Sequence, residues 1–236
     1  GQLVVQQSTT TNYHDLVLYR TASKSKLITR PNPQIDNWIL PQLSIVSWEG
    51  AEGDSVEGIL ELPPGYDGED PLPLIVTLHG GPTASEPFCH IFWIYGRTAF
   101  AVRGYAVLSP NYRGSTGFGD KFLTDLIGHE NDYDVQDILT GVDAMIERGI
   151  ADPNRLGVTG WSNGGFLTNC LLETNRFKAA STGAGVIDMT MQWGEEDTPG
   201  HVVNYMQGLP WENPEEYREA SPVYSLHPGI ETATLI

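Results

Sequence analysis

Ser162 stands in the run Gly160-Trp161-Ser162-Asn163-Gly164-Gly165, between a short apolar segment, Leu156 to Thr159, and a helix-like one, Phe166 to Glu173. A strand that ends, a sharp turn and a helix that begins would hold the serine hydroxyl above a sheet, at the positive end of the helix. Glycines at 160 and 164 suit that turn, because strand and helix must approach closely there. A hydroxyl so placed can attack an ester or amide carbonyl, provided a base takes its proton. The base is ordinarily a histidine steered by a carboxylate. The attack creates a negative oxygen that needs preorganised donors, and the backbone N–H of Asn163, directly after the serine, is the first one expected.

A second donor is expected from a loop after an earlier strand. His79-Gly80-Gly81-Pro82 follows the apolar run Leu72–Leu78, and its two glycines let the backbone turn an N–H toward a substrate oxygen. His79 precedes the serine in the wrong chain order for a base and reads as a residue that orients the loop by hydrogen bonding. Asn111 to Gly119, with three glycines, forms a second shaped loop at the same sheet edge, where sites form. Within it Arg113 either anchors the loop or meets a substrate carboxylate. The segment Asp188 to Pro210 is expected to border the acyl pocket, with Trp193 and Tyr205 either lining it or sitting in the core. Asp188, Asp197, His201 and His227 follow Ser162, but each reads as a surface or capping residue rather than a partner of the serine. No metal-ligand spacing or phosphate-cradling loop is present, and the chemistry needs neither metal nor organic cofactor.

The elements that must position these residues alternate between strand and helix. Leu43 to Trp48 and Val56 to Leu62 read as two strands, Leu72 to Leu78 and Tyr105 to Ser109 as buried strands, and Phe92 to Val102 as a helix. Val135, Ile138, Leu139, Val142, Met145 and Ile146 repeat at helical spacing between Asp132 and Arg148. Phe177 to Thr182 reads as a short strand. Two short helices are expected near Val202–Met206 and Pro214–Ala220, and a last strand begins at Thr232. This alternation predicts an α/β protein with a mostly parallel sheet and helices on both faces. Ahead of it, Leu16–Arg20 and Lys26–Arg30 flank the turn-forming Thr21–Ser25, which reads as a β-hairpin, and Arg30 to Gln34 reads as a linker. The division expected is residues 1–36 and residues 37–236.

The 236 residues are 40% hydrophobic, enough for one domain with a substantial core and a little more. A net charge of −17 argues against nucleic-acid partners, which it would repel. The acidity reads as solubility and names no cationic substrate by itself. No apolar run of about 18 residues spans a membrane. Cys89 and Cys170 are too few for a disulfide framework and leave the compartment open. The chain opens at Gly1 with no visible signal peptide, which leaves open what precedes it.

Together, His79-Gly80-Gly81-Pro82, the Asn111-Tyr112-Arg113-Gly114-Ser115-Thr116-Gly117-Phe118-Gly119 loop and Gly160-Trp161-Ser162-Asn163-Gly164-Gly165 resemble the prolyl oligopeptidase family of serine peptidases, over roughly residues 37–236. The histidine of His79-Gly80-Gly81-Pro82 is similar to the acylaminoacyl-peptidase branch. The resemblance implies an α/β-hydrolase fold preceded by the last hairpin of a β-propeller, a peptide substrate, and an oxyanion hole of the Asn163 and Gly81 backbone N–H groups. Asn163 stands where a tyrosine is common. The resemblance also places the aspartate and histidine of the triad beyond Ile236, so this chain alone is expected to be nearly inactive. An esterase on the same elbow, or a non-catalytic interaction module, are the rival readings.

Overall fold

A computed structural model describes residues 1–11, 13–92 and 96–236. Three strands open the chain, β1 (Leu3–Gln7), β2 (Asp15–Thr21) and β3 (Lys24–Leu27), in an antiparallel sheet of that order. The expected hairpin is β2 with β3, Val17 opposite Leu27. Sequence reasoning missed β1, whose Leu3-Val4-Val5 run has no alternation; its partner β2, about a dozen residues away, defines it. The expected linker is partly structured, because Pro33–Asn37 form a 3-10 turn that buries Ile35.

Next in the chain come β4 (Gln42–Glu49), β5 (Ser55–Leu62), β6 (Leu72–Leu78), α1 (Arg97–Ala101), β7 (Ala106–Asn111), α2 (Asp120–Thr124) and α3 (Tyr133–Glu147). Then follow β8 (Ala151–Trp161), α4 (Asn163–Leu171), β9 (Ala179–Gly183), α5 (Met189–Glu195), α6 (Gly200–Tyr205), α7 (Pro214–Glu219) and β10 (Ala233–Leu235). The seven strands form one sheet in the order β10-β9-β8-β6-β7-β5-β4. Pairings from β10 through to β7 are parallel, and β5 and β4 complete the sheet antiparallel. The helix expected over Phe92–Val102 is shorter, α1 beginning at Arg97 after Gly96, with Phe92 outside it and residues 93–95 outside those described. Two short helices escaped the sequence reading, α2 and α5. The Asp188 carboxylate caps α5 by accepting from the N–H groups of Thr190 and Met191.

Alternation along the strands sorts side chains between the two sheet faces. Leu74, Val76, Val158 and Ala180 join the core with Ile138, Val142 and Met145 of α3 and Phe166, Leu167 and Leu171 of α4. Ile75 and Gly157 face the other side, beside Phe100 of α1. Helices therefore lie on both faces. Trp48 ties β4 to α3: its indole N–H donates to the Asp137 carbonyl at 2.8 Å, and a Cβ on Gly141 would come within 2.7 Å of the ring.

Candidate active site

Strand β8 ends at Trp161 and helix α4 begins at Asn163, leaving Ser162 at the corner with φ 58° and ψ −122°. A side chain at positive φ is strained, and persists only where the surroundings over-determine it. Here the Ser162 N–H donates to the Gly183 carbonyl and its own carbonyl accepts from Phe166 N–H, both at 2.9 Å. The two elbow glycines leave no room for a side chain. A Cβ on Gly160 would sit 2.2 Å from the Gly164 carbonyl oxygen, and one on Gly164 would sit 2.1 Å from that of Leu78. The corner projects Ser162 outward, and its side chain lines a cavity of about 880 Å³. Asn163 is the first residue of α4, so its N–H has no acceptor within the helix.

The His79-Gly80-Gly81 loop leaves β6 and runs directly past this corner. A Cβ on Gly80 would stand 3.4 Å from Ser162 Cβ and 3.9 Å from its Oγ. Gly81 has φ +131°, a conformation open to glycine. His79 is held from three sides. Its Nδ1 lies 2.8 Å from the Gly80 carbonyl, which can only accept, so Nδ1 carries the proton and the neutral Nε2 accepts from the Ser115 hydroxyl at 3.0 Å. The ring stacks on Tyr112, with centroids 4.3 Å apart. Burial holds its pKa below the ordinary imidazole value, against the raising effect of the Gly80 bond. With both nitrogens engaged inside the loop, His79 has none left for Ser162, and no imidazole among the described residues hydrogen bonds to Ser162 Oγ.

Tyr112 joins the two halves of the site. Its hydroxyl donates to the His79 carbonyl at 2.6 Å and accepts from the Asn163 side-chain amide at 3.2 Å. The phenol is wholly buried, which raises its pKa far above the ordinary value and keeps it a neutral donor.

Three residues expected at a substrate pocket lie elsewhere. Arg113 is fully buried, and the substrate-carboxylate role is corrected to loop anchoring. Its Nη2 donates to the Ala51 carbonyl at 2.8 Å, its N–H donates to Asp137 Oδ2 at 2.9 Å, and its guanidinium lies over the Phe122 and Tyr133 rings. Trp193 meets Trp211 edge-on, and Tyr205 is buried edge-on to His201; neither lines the cavity beside Ser162. Both belong to the packing of α5 and α6, the core alternative of the two the sequence left open, since an aromatic residue suits pocket and core equally. Of the remaining candidates, His201 pairs with Glu196 at 3.2 Å, and His227 Nδ1 accepts from Gly229 N–H. Among the described residues no group of three or more His, Cys, Asp or Glu side chains could hold a metal ion, and no helix is long and apolar enough to cross a membrane.

Sequence reasoning did not anticipate Glu86, Cys89 and Arg97, which line the same cavity as Ser162. One signal was available. An arginine inside the apolar stretch Phe92–Val102 is seldom buried without a carboxylate partner.

The parallel sheet and the glycine-framed corner with its outward serine put this protein in the α/β-hydrolase class. Residues 94–236 match the sequence description of the prolyl oligopeptidase family. The chain belongs to that family. It is 35% identical over 200 residues to an uncharacterized peptidase, YuxL, of Bacillus subtilis, covering 81% of this chain and 29% of the relative. It is 37% identical over 175 residues to an acylamino-acid-releasing enzyme of Arabidopsis thaliana, covering 69% of this chain and 22% of that protein. An acylaminoacyl peptidase solved with Z-Gly-Gly-Phe-chloromethyl ketone superposes with a TM-score of 0.83 at 26% identity, over 95% of this chain and 36% of that one. The chain thus spans less than a third of the length of the curated relatives it matches.

Proposed function

We propose that the polypeptide carrying this chain is a serine peptidase that hydrolyses short peptides through an acyl-enzyme on Ser162. The observation that carries this reading is the position of Ser162, outward at a strained corner with the Gly80 backbone against it. In this reading Ser162 Oγ attacks the scissile carbonyl carbon as its proton passes to a histidine. The backbone N–H groups of Asn163 and Gly81 receive the oxyanion, and the amine leaves with the proton. Water then attacks the ester, and Ser162 regains its hydrogen. The histidine and its aspartate come from further along the polypeptide, where the family resemblance puts both. The acylaminoacyl peptidase solved with a peptide chloromethyl ketone supports a peptide as the substrate class.

The test compares a chromogenic peptide with a short-chain ester in the full-length polypeptide. Peptide turnover that Ser162→Ala abolishes is expected. Turnover of the ester alone would favour an esterase, and full activity in Ser162→Ala would overturn the assignment of the nucleophile.

A further inference from the structure

One side of the Ser162 cavity is walled by residues 85–89 and 91. They belong to the connection between β6 and α1, where residues 82–92 form neither helix nor strand. A wall without a ladder of its own keeps its shape through what holds it from outside. Its first half is held by the loop 111–119. Thr116 N–H donates to the Ala84 carbonyl at 2.9 Å, and Glu86 N–H donates to Asn111 Oδ1 at 2.7 Å.

The second half, residues 87–91, is held by the start of α1. Arg97 is almost wholly buried there. Its Nη2 donates to the carbonyls of both Pro87 and Cys89, its Nη1 donates to Glu86 Oε2 at 2.5 Å, and its Nε donates to Glu61 Oε1 at 2.7 Å. The Thr98 hydroxyl donates to the same Glu61 oxygen at 3.2 Å and accepts from Ile91 N–H at 3.1 Å. Glu61 lies in β5 with a fully buried side chain, so the guanidinium fastens the wall to a group fixed in the sheet. A planar fork can reach acceptors on several sides at once, which a lysine ammonium cannot.

Four of the five N–H groups of Arg97 are engaged by the protein, so its charge is spent on the wall and not on a ligand. The two carbonyls it holds flank Phe88. That ring is 43% exposed and lines the cavity that Ser162 lines. We infer that Phe88 contacts the bound substrate through its ring, and that Arg97 is the positioning residue that presents it, by fixing the backbone on either side. This rests on the peptidase reading, and the matching group is an apolar side chain of the peptide.

The test is steady-state kinetics of the full-length polypeptide on a chromogenic peptide with apolar side chains. Phe88→Ala removes the exposed ring and should raise KM about ten-fold while kcat stays within about two-fold. Arg97→Lys keeps the charge, loses the fork, and should raise KM in the same direction. In the double variant the two effects should not add, because a misplaced ring and a missing ring forfeit one contact. An arginine that only stabilises the fold would lower the active fraction, and so the apparent kcat, without moving KM. If the melting curve shows that Arg97→Lys does not fold, Thr98→Val takes its place in the cycle, since it releases the Ile91 end of the same segment. An unchanged KM in Phe88→Ala, or effects that add in the double variant, overturns the inference and leaves the peptidase reading standing. No peptide turnover in the parent overturns the peptidase reading, and this inference with it.

Discussion

The hydroxyl of Tyr112 donates a 2.6 Å hydrogen bond to the main-chain carbonyl of His79. One buried phenol thereby sets the start of the glycine loop, and because it also accepts from Asn163 it ties that loop to the corner bearing Ser162. Tyr112→Phe removes this link and little volume. In the full-length polypeptide it should lower kcat about ten-fold with KM nearly unchanged if the loop supplies the proposed Gly81 oxyanion donor, which would act on the transition state. Steady-state kinetics on a chromogenic peptide checks this; a rise in KM alone would place the effect in substrate binding instead.

The elbow glycines should be intolerant of any side chain. Gly160→Ala and Gly164→Ala each push a methyl to about 2 Å from a carbonyl oxygen, which overpacking places at roughly 3 kcal/mol or more of lost stability. Gly157→Ala, on the same strand, meets its nearest atom at an ordinary 3.6 Å and should fall within about 0.5 kcal/mol of the parent. Urea denaturation of the three variants separates these outcomes.

Arg113 should matter for stability and not for substrate. Asp137 Oδ1 accepts from Ala51 N–H and its Oδ2 from Arg113 N–H, while Arg113 reaches the Ala51 carbonyl, so the three residues bind the loop after β7 to α3 and to the turn after β4. Asp137→Ala removes the one wholly buried carboxylate beside Arg113, leaving Asp54 and Asp125 at 3.6 and 3.8 Å, and strips Ala51 N–H and Arg113 N–H of their acceptor, so it should cost about 3 kcal/mol. Arg113→Lys, which cannot reproduce the planar fork, should lower Tm while the folded protein keeps its KM. A selective KM change in Arg113→Lys would restore a substrate role.

Stability should fall as pH rises from about 4 toward 8. Burial pushes the carboxyls of Glu130 and Asp134 up to about 8, helped for Glu130 by Asp134 and for Asp134 by Asp137. Unfolded, both groups titrate near ~4, so across this window the native state holds more protons than the unfolded one. The slope of unfolding free energy with pH is therefore negative: the stabilisation is complete below about 4 and is lost as pH rises through the native value. The loss should be on the order of a few kcal/mol between pH 5 and pH 9, measured by urea denaturation across that range. Glu130→Gln and Asp134→Asn should each flatten the profile, and a flat profile in the parent would contradict the burial argument.

Much of the frame was legible because it rests on local rules. The apolar run Leu72–Leu78 between prolines and glycines is β6, and the helical repeat from Val135 to Ile146 is α3. The glycine spacing around Ser162 specified a strand-to-helix corner, since other residues would collide there. Weaker local signals failed. Strand β1 exists through its pairing with β2, α2 is a single short turn of helix after Gly119, and α5 is announced by little more than its Asp188 cap. Trp193 and Tyr205 were ambiguous because an aromatic ring suits a pocket and a core alike.

By itself, the sequence determined the alternation of the main strands and helices from β4 onward, the corner at Ser162 and the glycine loop opposite it, because periodicity and steric exclusion act between residues close along the chain. Only the tertiary structure decided which polar groups meet. Arg97 finds Glu61 across 36 positions, Arg113 finds Ala51 across 62, and Asn163 finds Tyr112 across 51. Those pairings depend on strand order and helix packing, which bring distant segments to one cavity wall or one buried anchor. Whether a charged residue faces a ligand or holds a loop follows from that geometry and not from its type.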